Sequence, residues 1–147
     1  LPHYFMEFDI RDGGGAFWST ARRAEHLAGS PIRAVPVLWE GIVEDPSTIP
    51  ALVAPSLYKT PRWREALREA AIAAGVDADR AARETDASEF SEGLYLKVED
   101  PVTRVVLGRY KWVRHTFLTA VVDSGSHWLA RPIMPNGLAD GVTLFGD

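Results

Sequence analysis

Lysine is scarce in this chain: of sixteen basic residues thirteen are arginine, and the three lysines are Lys59, Lys97 and Lys111. Where arginine supplies ordinary positive charge, a retained lysine indicates a need for a compact ammonium, a point charge suited to phosphate. Lys97 closes the run Glu92-Gly93-Leu94-Tyr95-Leu96-Lys97, and Lys111 stands fourteen positions later in Arg109-Tyr110-Lys111-Trp112-Val113-Arg114. Both runs read as arms of one hairpin. Alternation with period two puts Tyr95 and Lys97 on one face, and Arg109 and Lys111 on one face of the partner strand. If the two faces coincide, three cations converge with Tyr95 and Tyr110 nearby. Glu92 has the opposite parity and joins them only if Gly93 permits a bend or bulge at the strand entry. A carboxylate beside several cations suits a divalent metal or a sugar hydroxyl, with the cations holding phosphate oxygens. The plainer alternative is a solvated hairpin face carrying cross-strand ion pairs.

Other chemistry-bearing residues give weaker patterns. His3, His26, His115 and His127 show no metal-ligand spacing. Asp12-Gly13-Gly14-Gly15 has the glycines of a phosphate cradle but no following Lys-Ser/Thr, and reads better as a hairpin turn. Arg22-Arg23 and the series Arg62, Arg64, Arg68 read as solvated helix faces, with contact to a nucleic-acid backbone as the alternative.

The elements that must position these residues are mixed. Residues 4–10 form an apolar, aromatic strand stopped by Asp12-Gly13-Gly14-Gly15, after which Phe17-Trp18 resumes extended structure. Ser19 caps a short helix, Thr20 to Ala28, with Gly29 as its stop. Ala34 to Trp39 reads as a buried strand, with Pro36 implying an edge or a bulge. Asp45-Pro46-Ser47 opens a short helix through Val53. Pro61 starts the clearest helix, to about Ala74, with Trp63, Leu67, Ala70, Ala71 and Ala74 on one face. Asp77 to Glu84 is a second, polar helix. Leu94–Val98 and Arg104–Val113 are strands around the turn Glu99-Asp100-Pro101. Thr116–Val122 reads as a further strand, and the tail from Trp128 as irregular. Strands and helices without regular alternation predict an α+β fold, with antiparallel sheets and flanking helices.

Composition sets outer limits. At 147 residues, 46% hydrophobic and 24% charged, the chain suits one domain with a core. A net charge of −4 means that any polyanion site is a local basic patch. The absence of cysteine excludes disulfides and thiolate metal sites and fits a reducing, cytoplasmic setting. No apolar run approaches the ~20 residues of a membrane span, and no signal peptide is evident. The chain opens at Leu1 almost inside a strand, which leads us to expect a longer protein upstream.

Glu92-Gly-Leu-Tyr-Leu-Lys97 resembles the Glu-Gly-x-x-x-Lys element of the covalent nucleotidyltransferases, which include ATP-dependent RNA ligases, DNA ligases and capping enzymes. Arg109-Tyr110-Lys111 resembles their later basic-x-basic element. Phe5-Met6-Glu7-Phe8-Asp9-Ile10 resembles the Phe-Asp-hydrophobic strand that precedes both. The order agrees, and the tail from His127 to Asp140 is most similar to the RNA ligase branch. The resemblance implies that residues 1–147 are a partial nucleotidyltransferase domain, with the motif strands in 1–115 and a C-terminal extension in 116–147. It implies an enzyme that adenylylates its own lysine, passes AMP to a 5′-phosphate end of RNA and seals that end to a 3′-hydroxyl. ATP with Mg2+ or Mn2+, and RNA ends, are the implied cofactors and partners, and RNA repair is the implied setting.

Carried over residue by residue, Phe8 matches the aromatic that stacks on adenine, with Phe5 as a competing assignment. Glu92 matches the metal-linked acid, and Lys97 and Lys111 match lysines that contact the nucleotide phosphate. Arg109 stands where many relatives have lysine. The family's nucleophile, the lysine of Lys-x-Asp-Gly, has no match: Lys97 is followed by Val98-Glu99-Asp100-Pro101 and Lys59 by Thr60-Pro61. The resemblance places that lysine upstream. The alternatives are a DNA ligase or capping-type relative, and a nucleotide or nucleic-acid binding module without catalysis.

Overall fold

The structure, a computed structural model, describes residues 1–123 and 133–143. The chain divides into two compact units. The first is Leu1–Ile42, Tyr95–Lys111 and Gly137–Asp147, and the second is Val43–Leu94 and Trp112–Asn136. The fold is α+β, with a hairpin and short helices. Among the described residues no helix is long and apolar enough to cross a membrane.

In the first unit, β1 (Met6–Glu7) pairs in parallel with β2 (Arg33–Ala34), Met6 opposite Arg33 and Glu7 opposite Ala34. Both are shorter than the sequence suggests. The Val35 amide still donates to the Glu7 carbonyl at 2.8 Å, but Pro36 has no N–H to continue the ladder. The expected buried strand Ala34–Trp39 is therefore corrected: Val37, Leu38 and Trp39 are exposed, and so are Tyr4, Phe5 and Phe8 around β1. The glycine turn forms as expected. Asp12 Oδ1 accepts from the amides of Gly14 and Ala16, both at 3.0 Å, and Arg11 bridges Phe17 in antiparallel sense. The extended segment at Phe17-Trp18 then pairs with the chain at Val105-Val106, the Val106 amide donating to the Phe17 carbonyl at 2.8 Å.

Helix α1 (Thr20–Leu27) starts where Ser19 caps it, Ser19 Oγ accepting from the Arg22 amide at 3.3 Å. Thr20 gives its amide to both carboxylate oxygens of Glu99, at 2.9 and 3.0 Å, and its hydroxyl to Oε1 at 2.7 Å. An acid at a helix N-terminus meets the orphan amides and the positive end of the dipole. Arg23, expected on a solvated face, is instead only 4% exposed and paired with buried Glu7 at 2.6 Å. Arg22, beside it, lies over the Trp18 ring, 4.1 Å from its centroid.

In the second unit a 3-10 helix, Pro46–Leu52, is capped by Asp45, and Pro50 inside it removes one backbone donor. Helices α2 (Trp63–Ala73) and α3 (Ala78–Arg83) pack together, burying Ala71 and Ala81. Asp77 caps α3 through Oδ1, which accepts from Asp79 at 2.8 Å and Arg80 at 2.9 Å.

Strands β3 (Gly93–Asp100) and β4 (Val105–Val113) form the hairpin. A four-residue connection makes the pair antiparallel. The strand runs through Glu99 and Asp100, which the sequence suggests as turn residues. The turn comes one step later: Asp100 Oδ1 accepts from Val102 at 2.8 Å, and Arg104 adopts a left-handed φ of 59°. Residues 116–122, expected as a strand, lie in helix α4 (His115–Asp123). Phe117, Thr116 and Val121 supplied the strand signal, but the Arg114 carbonyl takes the amides of Phe117 and Leu118, both at 3.1 Å, and starts a helical turn. Thr119 satisfies its hydroxyl on the His115 carbonyl at 3.1 Å, which suits a helix. Of the tail motif, residues 127–132 lie outside the described residues.

Candidate functional site

Asp9, two positions after β1, gathers residues of the hairpin. Lys97 Nζ lies 2.8 Å from Asp9 Oδ1, with both side chains about one-tenth exposed or less, 10% and 8%. Tyr95 donates its hydroxyl to Asp9 Oδ2 at 2.8 Å, and Arg109 Nη1 donates to the same oxygen at 3.3 Å. Lys97 also donates to the Phe8 carbonyl. Tyr95 and Lys97 therefore share a face, as alternation requires, and Arg109 of the partner strand meets the same carboxylate. Burial disfavours ionised Asp9, but hydrogen bonding with Lys97 and Tyr95, the Lys97 charge and the Arg109 bond outweigh it. They hold the Asp9 carboxyl below its ordinary value. Burial, then the bond to Asp9, pushes the Tyr95 phenol up.

Beside this cluster runs an open groove of about 560 Å3, lined in part by Phe17, Tyr95, Arg109, Tyr110 and Lys111. The central carbon of the Arg109 guanidinium lies over the Phe17 ring, 3.6 Å from its centroid, a cation–π contact that restrains the side chain. The Tyr110 ring folds back over Gly108, where a Cβ would come within 3.0 Å of it. The predicted Arg109 and Lys111 thus line one groove, and Lys97 meets Arg109 through Asp9. A groove of this kind can hold an anionic group and lay a flat ring on an aromatic wall.

Phe8 is half-exposed, 51%, with its edge on Tyr95 at 5.6 Å between centroids, and Phe5 is more exposed at 60%. Glu92 is exposed and lies in the second unit, immediately before β3. Its carbonyl accepts from the Arg114 amide at 2.9 Å. Arg114 also reaches the Ser91 carbonyl with Nε at 2.7 Å and pairs with Asp86, so the strand entry is clamped. Gly93 provides close approach of the two strands, since a Cβ there would stand 1.9 Å from the Trp112 carbonyl oxygen. Among the described residues no three His, Asp or Glu side chains gather as a metal site.

Lys59 has a different surrounding in the second unit. Its ammonium donates to the carbonyls of Asp86 at 3.0 Å and Ser88 at 2.6 Å and lies over Trp63 at 4.3 Å. Burial draws the Lys59 pKa down, with Asp86 and Glu89 opposing. Sequence reading missed Asp9 as a partner of these cations. The available signal was an acid set in an aromatic run, Phe5-Met6-Glu7-Phe8-Asp9.

The RNA ligase family profile matches residues 1–113, from β1 through the end of β4. The chain belongs to the RNA ligase family, and its function is of the ligase type, with RNA as the substrate class that membership implies. Comparisons with curated proteins and with solved structures gave no significant match.

Proposed function

We propose that the chain is the nucleotide-handling part of an ATP-dependent RNA ligase that joins 5′-phosphate to 3′-hydroxyl ends. The observation that carries the reading is the groove where Arg109 and Lys111 stand between aromatic walls, in a chain of this family. ATP suits what these residues offer: cations for the phosphates, and Phe8 or a groove aromatic for the base. Lys111 and Arg109 would bind phosphate oxygens, Arg109 restrained by its contact with the Phe17 ring. Glu92, matched by the resemblance to the metal-linked acid, would hold a magnesium or manganese ion, which needs only one or two protein carboxylates. When bound, that ion neutralises phosphate charge.

The binding of ATP, GTP and adenosine to this chain, followed calorimetrically, tests the reading. ATP is expected to bind, with affinity falling about tenfold in Lys111→Ala and in Phe8→Leu, each tenfold being about 1.4 kcal/mol. Phe8→Leu is expected to leave the melting temperature nearly unchanged, because the ring is half-exposed. No ATP binding, or equal binding by Lys111→Ala, defeats the proposal. A second reading, nucleotide or nucleic-acid binding without covalent catalysis, draws on one observation: none of the three lysines stands in Lys-x-Asp-Gly. Binding of ATP together with failure to seal pre-adenylylated RNA would favour it.

A further inference from the structure

We propose that Asp9 is a positioning residue: it aligns the ammonium of Lys97 and the guanidinium of Arg109 so that their remaining donors meet the phosphates of a nucleotide. The inference rests on the nucleotide-binding reading above and extends it to a residue that touches no substrate.

The geometry gives Asp9 three partners from one hairpin face, Tyr95, Lys97 and Arg109, and leaves it 8% exposed. An ammonium has three N–H donors. Lys97 directs one at the Phe8 carbonyl and faces Asp9 Oδ1 as an ion pair at 2.8 Å, which leaves donor capacity for a ligand oxygen. Arg109 meets Asp9 through Nη1 and holds its guanidinium carbon over the Phe17 ring, which leaves further donors of its five for other oxygens. One carboxylate facing two cations leaves a net charge of +1, so the pair tolerates burial yet still attracts an anion. Tyr95 donates to the same carboxylate oxygen that Arg109 uses, and so helps to hold it in place.

Preorganised donors favour the phosphates and do nothing for the nucleoside, and this difference separates alignment from general support of the fold. The test compares ATP and adenosine binding to the full chain by calorimetry in wild type, Asp9→Asn and Tyr95→Phe. Asp9→Asn keeps the shape and removes the charge; it is expected to weaken ATP by about tenfold while adenosine changes by less than about twofold. Tyr95→Phe is expected to weaken ATP by roughly two- to threefold, again sparing adenosine. Unchanged ATP affinity in Asp9→Asn overturns the proposal, and so does an equal loss for ATP and adenosine, which marks a purely structural role. Should Asp9→Asn fail to fold, Tyr95→Phe decides alone, unchanged ATP affinity counting against. If the wild type binds no ATP, the nucleotide reading itself fails and takes this inference with it. That result is read before any variant is compared.

Discussion

The Cα of Gly93 is pressed against the carbonyl of Trp112, leaving no space for a side chain: a Cβ built there stands 1.9 Å from the oxygen and 2.9 Å from the carbonyl carbon. The glycine of the Glu-Gly pair is therefore required by the approach of two strands. Both contacted atoms are backbone, so no rotamer change can relieve the clash. Gly93→Ala is expected to lower unfolding stability by roughly 3 kcal/mol, at the upper end of what overpacking costs. Denaturant unfolding of the wild type and variant checks this, and a loss below about 1 kcal/mol would show that the strands separate easily.

Asp9 gives a pH prediction whose sign follows from its lowered pKa. A carboxylate whose folded value lies below its unfolded value contributes stability above the unfolded value, about 3.9 for aspartate, and that contribution fades as pH falls through the folded value. The stability difference between wild type and Asp9→Asn is thus expected to be constant at neutral pH and to shrink only in the acid range. Denaturant unfolding of both proteins from neutral pH down to about pH 2.5 is the measurement. A difference that stays constant throughout would mean that Asp9 titrates alike in folded and unfolded chains.

The hairpin and the helices α2 and α3 were legible in the sequence because their signals are local. Lys97, Tyr95 and their neighbours alternate, Gly75 ends the α2 region with a φ of 69°, and Asp77 caps its own helix. Helix α4 was misread because the β-branched and aromatic residues in Thr116–Val122 carry a strand preference that one carbonyl, that of Arg114, is enough to override. The strand through Val37 is not formed because Pro36 interrupts the ladder after Val35 and leaves Val37, Leu38 and Trp39 exposed. The centre of the candidate site was hidden for another reason. Asp9 meets Tyr95 and Arg109 across 86 and 100 positions of sequence, a pairing that no short-range pattern encodes. Arg23 was hidden in the same way, its partner Glu7 lying sixteen positions earlier on another element.

Lysine chemistry gives a third prediction: this chain alone, incubated with labelled ATP and magnesium, forms no covalent AMP adduct. A nucleophilic amine must be neutral and free of competing bonds. Lys59 instead donates to two backbone carbonyls, and Lys97 faces a carboxylate and a third carbonyl. None of the three lysines is followed by the x-Asp-Gly that marks the family's nucleophile. Denaturing electrophoresis reads the outcome, and a stoichiometric adduct on Lys59, Lys97 or Lys111 would overturn it. Lys59→Met should then leave ATP binding intact but lower stability, because the carbonyls of Asp86 and Ser88 lose their donor. These carbonyls are part-buried, so the expected loss is about 1 kcal/mol, the low end of the cost of an unpartnered acceptor.

Lys97 and Lys111 are expected to respond differently to arginine, although both sit on the same hairpin. The Lys97 side chain is 10% exposed and enclosed by Asp9, the Phe8 carbonyl and the Tyr95 ring, whose centroid is 5.6 Å from its ammonium. A planar guanidinium is larger and cannot repeat three bonds radiating from one point. Lys97→Arg should therefore lower both stability and nucleotide affinity. Lys111 is exposed on the wall of the groove, where there is room for the larger head group. Lys111→Arg should leave the melting temperature within about a degree or two and weaken ATP by roughly tenfold, about 1.4 kcal/mol, through misplaced donors alone. Thermal melts and ATP titrations on the two variants decide the matter. If both variants keep wild-type melting and wild-type ATP affinity, the scarcity of lysine in this chain has no functional meaning, and neither ammonium group contributes to nucleotide binding as a point charge.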